Sequence, residues 1–303
     1  MDMRAVVFAY HNVGVRCIKV LRARGLDVAL VVTHEDSPSE RIWFDSVAAL
    51  CREEGIPFTV DTPDSAALFE QVRDARPDFI FSFYYRHLLP AQLLCLAPEG
   101  AYNMHGSLLP KYRGRAPVNW AILHGETETG ATLHEMTEKP DAGAIVAQSA
   151  VPILPDDTAF EVFGKVVVAA EQALWQVLPA MLAGKSPKRE NDLSQGSYFG
   201  ARTPEDGRID WSRSAQDVYN LHRAVAPPYP GAWTRIGERI FVIGKARLAE
   251  DCKAPIHPGL AVVENQIVGV CGDSRALLIH QLLEKGTPLT PAQLKEILSS
   301  SLS

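Results

Sequence analysis

Short apolar runs alternate with stretches of helical spacing through the first half of the chain. Residues 4–9, Arg-Ala-Val-Val-Phe-Ala, form an apolar run suited to a buried parallel strand, and residues 14–24 then carry the spacing of a helix stopped by Gly25. The alternation continues with a strand at 28–33, a helix at 47–54 ended by Gly55 and a short strand at 57–60. A helix at 66–76 capped by Asp64 or Ser65 and a strand at 78–83 come next. Strands alternating with helices predict an α/β fold, a Rossmann-like, doubly wound, mainly parallel sheet that receives ligands at the carboxyl ends of its strands.

Residues 116–124 predict a helix with Pro117 in its first turn. Residues 130–137 predict a strand in which Thr132 and His134 alternate with apolar positions, and 145–153 predict another. A long apolar helix capped by Asp157 or Thr158 runs to residue 183 and stops at Gly184. Its Phe163 and Trp175 read as packing, and His124 and His134 as structural. Residues 185–204, with two prolines, two glycines and mixed charges, read as a linker between an N-terminal domain at 1–184 and a C-terminal domain at 205–303. The second domain shows a helix at 215–225, a rigid Pro-Pro-Tyr-Pro-Gly-Ala-Trp turn at 227–233, and short strands at 234–236, 239–246, 259–264, 266–271 and 276–283. Such a series suggests a small β-barrel, followed by a capped amphipathic helix at 290–298. Tyr229 and Trp233 either pack a seam between domains or stack on a ligand ring.

With 303 residues, 47% of them hydrophobic, the chain is long enough to bury two cores. A net charge of −6 and a pI near 5.9 argue against a nucleic-acid surface, although a local basic patch could still bind a diphosphate. The five cysteines, Cys17, Cys51, Cys95, Cys252 and Cys271, are far apart and form no Cys-x-x-Cys pair. They read as buried thiols in a reducing cytosol rather than as a disulfide frame or a zinc site. No apolar run approaches membrane-spanning length and the amino terminus lacks the apolar core of a signal peptide, so the expected protein is soluble and cytoplasmic, with no membrane insertion. Tyr10-His-Asn-Val-Gly14 has no Gly-x-Gly-x-x-Gly, which disfavours a dehydrogenase; His11 and Asn12 either border a ligand or close a loop.

The candidate chemistry is densest in Ala101-Tyr-Asn-Met-His-Gly-Ser-Leu-Leu-Pro-Lys-Tyr-Arg-Gly-Arg-Ala-Pro117. On a strand through Tyr102 and Met104, the side chains of Asn103 and His105 share one face. An amide donor and an imidazole in one small volume suit acyl transfer. His105 takes the proton of an attacking amine, and Asn103 donates to the oxygen of a tetrahedral intermediate. The candidate third partner is Asp141 in Glu138-Lys-Pro-Asp-Ala-Gly143, where Pro140 and Gly143 favour a turn. An aspartate beside an imidazole raises its pKa and fixes its tautomer. The competing reading makes the same residues turn-formers and solvated polar groups. The stretch Phe81-Ser-Phe-Tyr-Tyr-Arg-His-Leu-Leu89 either packs on a helix from Ala91 or meets a flat ligand ring. Either Arg113 or Arg115 can pair with a carboxylate or phosphate, a plain surface role being the alternative for Arg113.

Asn-x-His-x-Ser-Leu-Leu-Pro-x-Tyr-Arg-Gly, followed by Ala-Pro and later by Asp-Ala-Gly, resembles the formyltransferases that use 10-formyltetrahydrofolate. Phe8-Ala-Tyr-His11, the Phe81 to Leu88 stretch and Arg115-Ala-Pro-Val-Asn-Trp120 are similar to the formyltransferase domains of the ArnA family of bifunctional polymyxin-resistance proteins. The similarity spans nearly the whole chain and is weakest after about residue 248. It implies Asn103, His105 and Asp141 as catalytic residues. It also implies His87, Leu88, Leu89, Arg115, Thr137, Glu138, Lys139, Pro140 and Asp141 as positions that bind 10-formyltetrahydrofolate, the formyl donor, with no metal. The C-terminal domain would be OB-like. The implied acceptor is the 4-amine of UDP-4-amino-4-deoxy-L-arabinose, in the lipid A modification that confers polymyxin resistance. The implied partner is a C-terminal UDP-glucuronate decarboxylase domain in the full-length protein. Formyltransferases for another amino-sugar nucleotide or for methionyl-tRNA, and a folate- or nucleotide-binding module without chemistry, are the alternatives. Formylases of initiator tRNA carry a longer basic insertion after the second strand, whereas residues 34–45 here are short and acidic, which favours small-molecule substrates and no nucleic acid.

Overall fold

Every residue of β1 (Arg4–Ala9) after the first is buried, as a strand covered on both faces requires. The computed structural model describes residues 3–35, 42–249 and 257–300, so Cys252 and half of the acidic 34–45 loop lie outside the described residues. The chain divides into two compact units. One comprises Met1–Pro117, Glu128–Pro152 and Gly164–Gly200, the other Val118–Thr127, Ile153–Phe163 and Ala201–Ser303.

After β1 come α1 (His11–Ala23), β2 (Asp27–Val32), α2 (Val47–Glu54), β3 (Phe58–Thr59), α3 (Ala66–Ala75) and β4 (Phe79–Phe83). They are followed by α4 (Ala91–Leu94), β5 (Gly100–His105), β6 (Arg113–Gly114), α5 (Pro117–Leu123), β7 (Glu128–Glu135), β8 (Ile145–Pro152), α6 (Ala159–Leu182) and β9 (Tyr198–Phe199). The main sheet of the first unit has the order β3-β2-β1-β4-β5-β7-β8. Pairing is parallel from β3 to β5 and antiparallel at β5–β7 and β7–β8, so the sheet is mainly parallel as expected.

Local chemistry explains the boundaries. Ser46 Oγ accepts from the Ala49 N–H at 3.3 Å to start α2, and Gly55 ends it in the left-handed conformation that only glycine adopts without cost. Of the two candidate caps for α3, Ser65 is the one used, accepting from Leu68 N–H at 3.4 Å. Helix α1 starts three residues before the expected Gly14, so the predicted first loop is the first turn of the helix. The polar pair His11 and Asn12 lies outside the apolar stripe from which the boundary was read.

Alternate residues of the strands divide the core. Val6, Phe8, Leu30, Val32, Ile80 and Ala101 face Leu68 and Val72 of α3 and Leu93 of α4. On the opposite side of β4, Phe79, Phe81 and Phe83 stack at 5.8 and 5.5 Å between centroids. Trp175 on α6 is 43% exposed, with the Arg24 guanidinium 3.5 Å above its ring, so it packs against a cation rather than in the core. Cys17, Cys51 and Cys271 are buried, as expected, but Cys95 is exposed because the single turn of α4 covers too little surface to enclose it.

The second unit is built on α7 (Ala215–Val225), β10 (Ala232–Ile236), β11 (Arg239–Leu248), β12 (Gly259–Val263), β13 (Gln266–Val270), β14 (Ala276–Glu284), β15 (Thr287–Pro288) and α8 (Pro291–Ser300). Its antiparallel sheet has the order β10-β11-β14-β13-β12, with β15 on β14. Trp233 Nε1 donates to the Pro204 carbonyl at 2.9 Å, and burial pushes the Tyr229 phenol up to about 12, so both aromatics are engaged inside this unit. Thr290 and Gln293 form the reciprocal cap of α8. Among the described residues no helix is long and apolar enough to cross a membrane.

Candidate active site

Strand alternation puts Tyr102 and Met104 on one face of β5 and Ala101, Asn103 and His105 on the other. Ala101 belongs to the apolar cluster beneath α3 and α4, so the polar pair begins where that cluster ends. β7 runs antiparallel beside β5 and sets His134 opposite Asn103 and Thr132 opposite His105. Directly opposed residues share a face, so the polar side of β7 meets the polar side of β5. His134 Nδ1 donates to the Glu135 carbonyl at 2.8 Å, which leaves Nε2 to accept from Asn103 Nδ2 at 3.1 Å. His134, read from sequence as structural, therefore holds the carboxamide of Asn103.

Asp141 comes from the loop between β7 and β8. The Met136 N–H bonds the Ala101 carbonyl at 2.8 Å and the Glu135 N–H bonds the Ala144 carbonyl at 2.9 Å, so the loop folds back over the polar face. Oδ1 of Asp141 lies 3.5 Å from His105 Nδ1 and 3.4 Å from His134 Nε2, while Oδ2 accepts from the Gly114 N–H at 2.9 Å. The second ring nitrogen of His105, Nε2, donates to the Tyr112 carbonyl at 2.7 Å. Asp141 and Tyr112 have φ of 52° and 56°, a left-handed backbone that is costly for residues with side chains and persists only where the surroundings enforce it.

Those surroundings come from the 185–204 stretch. Asn191 Nδ2 donates to the carbonyls of Asp141 and Gly143 at 3.0 and 3.1 Å. Ser197 Oγ accepts from the Tyr112 N–H at 2.9 Å, and β6 pairs in parallel with β9. Gly114 has φ of 95°, and an added Cβ would overlap the Phe199 carbonyl, so the close approach of β9 requires glycine there. Composition alone presents this stretch as a connector, and no signal in it marks Asn191 or Ser197. His134 did carry a signal, since a polar position alternating with apolar ones is the mark of a strand with one chemical face.

Burial pushes His105 below its ordinary range. The Asp141 charge and the Tyr112 carbonyl pull the other way, as the sequence suggested for the aspartate, but do not reverse the shift. The ring is thus neutral at neutral pH. Burial works against the charge of Asp141 too, yet its neighbours, His105 first and the Gly114 N–H among them, outweigh it and hold the carboxyl well below the usual carboxylate range. A neutral imidazole beside a fixed carboxylate, with a carboxamide held next to it, can accept a proton and steady a developing oxyanion.

The remaining candidate positions lie around this centre. His87, Leu88 and Leu89 follow β4, the strand adjacent to β5. The His87 ring is 5.7 Å from Tyr85, Leu88 is 74% exposed, and Leu89 packs on the apolar cluster. Arg115 is exposed and bonds through its backbone N–H to the Phe199 carbonyl at 3.0 Å. In the Asp141 loop, Thr137 Oγ1 donates to the Lys139 carbonyl at 2.9 Å, Glu138 and Lys139 are exposed, and Pro140 is half-buried. The fold brings Asn103, His105, Asp141 and His134 together, whereas among the described residues the side chains of 87–89, 115 and 137–140 make no hydrogen bond to them.

This arrangement has relatives. The solved N-formyltransferase from Helicobacter canadensis, in complex with folinic acid and dTDP-3-aminofucose, is 17% identical over 92% of this chain and 99% of its own, with a TM-score of 0.72. WlaRD, a sugar 3-N-formyltransferase, is 17% identical over 95% and 99%, with a TM-score of 0.73. A 4-N-formyltransferase from Francisella tularensis is 22% identical over 78% and 93%, with a TM-score of 0.62. At these identities the likeness is one of fold. Sequence carries the stronger evidence: the formyl transferase family matches residues 3–178 and the formyl transferase C-terminal domain matches residues 202–297. A match across more than half of the chain, containing every residue of the centre built on β5 and β7, makes this protein a member of the formyl transferase family.

Proposed function

We propose that the chain transfers the formyl group of 10-formyltetrahydrofolate to the amine of a nucleotide-linked amino sugar, and within that class to the 4-amine of UDP-4-amino-4-deoxy-L-arabinose. The observation that carries the reading is the convergence of Asn103, His105 and Asp141 on one polar face, with His105 neutral and its neighbouring carboxylate charged. A relative of the same fold named as a sugar 3-N-formyltransferase, and another solved with folinic acid and dTDP-3-aminofucose, support an amino-sugar acceptor. The ArnA-like motifs support the UDP-linked arabinose within it, and hence the lipid A modification, in the cytosol.

The sugar amine attacks the formyl carbon, forming the new C–N bond and a tetrahedral oxyanion. Asn103 donates to that oxygen. His105 takes the proton released by the amine and, paired with Asp141, becomes an imidazolium that also steadies the anion. Collapse breaks the bond to N10 of the folate, and the proton passes to that nitrogen as tetrahydrofolate leaves. His87–Leu89, Arg115 and the 137–141 loop are the proposed folate-binding positions.

The test is turnover of the purified chain with 10-formyltetrahydrofolate and UDP-4-amino-4-deoxy-L-arabinose, following tetrahydrofolate release, with His105→Ala as control. Turnover that disappears in the control is expected. dTDP-3-aminofucose is the second acceptor to assay, because a solved relative was captured with it. Turnover with that sugar alone would move the acceptor assignment and keep the chemistry, and turnover with neither would overturn the reading.

A further inference from the structure

Among the described residues, Arg113 is a buried arginine with no carboxylate paired to it. The residue is 9% exposed, and its Nε is sealed from solvent without an acceptor. No ion pair or side-chain hydrogen bond among the described residues engages its guanidinium. Arg223, buried to 4% exposure in the other unit, shows what a structural arginine looks like. Its Nε is likewise sealed without an acceptor, but its terminal nitrogens donate to Asn220 Oδ1 at 2.6 Å and to the Asp157 carbonyl at 3.2 Å. An uncompensated buried charge is expensive, and an unsatisfied buried group in a folded protein calls for a reason.

Its place in the chain supplies one. The peptide group before Arg113 gives the Tyr112 carbonyl that accepts from His105, and the peptide group after it gives the Gly114 N–H that bonds Asp141. Arg113 is therefore clamped between the two backbone contacts that hold the proposed base and its partner. Strand β6 is in turn fixed by β9, so the root of the side chain is rigid. Arg115, two residues on, is exposed, so of the two arginines in the motif only Arg113 has the low-dielectric setting in which a guanidinium grips an oxyanion tightly.

We propose that Arg113 binds an oxyanion of a reactant, an inference that rests on formyl transfer taking place at His105. The planar fork takes a phosphate or a carboxylate equally well. A nucleotide sugar supplies the first from its diphosphate, and the folate donor supplies the second from its glutamyl tail.

Calorimetric titration of the full chain with UDP and dTDP in one arm and folinic acid in the other separates the sources. In Arg113→Met, which keeps the stem and removes the charge, affinity for one arm is expected to fall about 10- to 100-fold while the other is unchanged. Arg113→Lys should lose less of the same affinity. Loss in the nucleotide arm assigns the diphosphate, and loss in the folinic acid arm assigns the glutamyl carboxylate. A folded Arg113→Met that binds all three probes like the wild type overturns the proposal and leaves the formyl-transfer reading intact. Wild-type protein that binds none of the probes overturns both. Should Arg113→Met fail to fold, Arg113→Lys decides. Unchanged affinities with a lowered melting temperature, or failure of both variants to fold, would make Arg113 a structural residue and overturn the proposal.

Discussion

Two opposing effects act on His105, and their balance is the centre of the proposed chemistry at the residue scale. Burial lowers its pKa and the Asp141 carboxylate raises it, with burial the larger. A base must be neutral to act, so the acidic limb of the kcat/KM profile is expected below the ordinary histidine range near 6.5. Asp141→Asn removes the raising charge, so the limb should move to lower pH while the rate falls; an unmoved limb would argue against the pairing. Asn103→Ala is expected to lower kcat by about 10² to 10³, and His105→Ala by about 10² to 10⁴. Near-normal single-turnover rates in either variant would sink the assignment. Asn103, His105 and Asp141 stand out in the sequence because a strand period and a proline-glycine turn are local properties. His134 was visible as a polar position, but its meaning was not, because only the β5–β7 register sets it opposite Asn103.

Among elements, those with strong local signals were read well and those without were not. α2 and α7 have their expected bounds because a serine at the cap and an apolar stripe state them directly. The two-residue strands β6 and β9 were invisible, since neither is long enough to show a period and their pairing joins residues about 85 apart. They are nonetheless the frame of the site. Gly114→Ala forces a side chain into a left-handed position against the Phe199 carbonyl and displaces the N–H that bonds Asp141. A stability loss of about 2 kcal/mol in urea unfolding, with a large fall in kcat, is expected. Ser65→Ala, which removes the cap of α3, should cost about 1 kcal/mol and leave kcat unchanged. Equal kinetic effects from both variants would show that β6 has no special link to the site.

For the whole molecule, buried histidines set the response to acid. Burial, followed by Arg223 and Arg247, lowers His222 to about 4, and burial with Arg86 lowers His11 to about 3. A folded pKa below the unfolded value of 6.5 means that stability is fully present above 6.5 and is lost as pH falls towards 4 and below. His222 alone accounts for about 3 kcal/mol of that loss. Asp141, also depressed, adds a further loss only below about 4, where its unfolded counterpart takes up a proton. Equilibrium unfolding across pH should show a plateau above neutrality and a decline below 6.5, and His222→Leu should remove about 3 kcal/mol of the decline between 6.5 and 4, leaving the share of His11. A decline of the same size in that variant would locate the titrating groups elsewhere. The α/β class, the alternation of strands and helices and the shared face of Asn103 and His105 on β5 could be read directly from the chain, since apolar period, caps and i, i+2 alternation depend on near neighbours. The return of the 185–204 stretch to support Asp141, the antiparallel β7 that brings in His134, the balance that leaves His105 neutral and the burial of Arg113 could not. Each depends on contacts between distant residues and on the burial those contacts create, and neither is written in any short stretch of sequence.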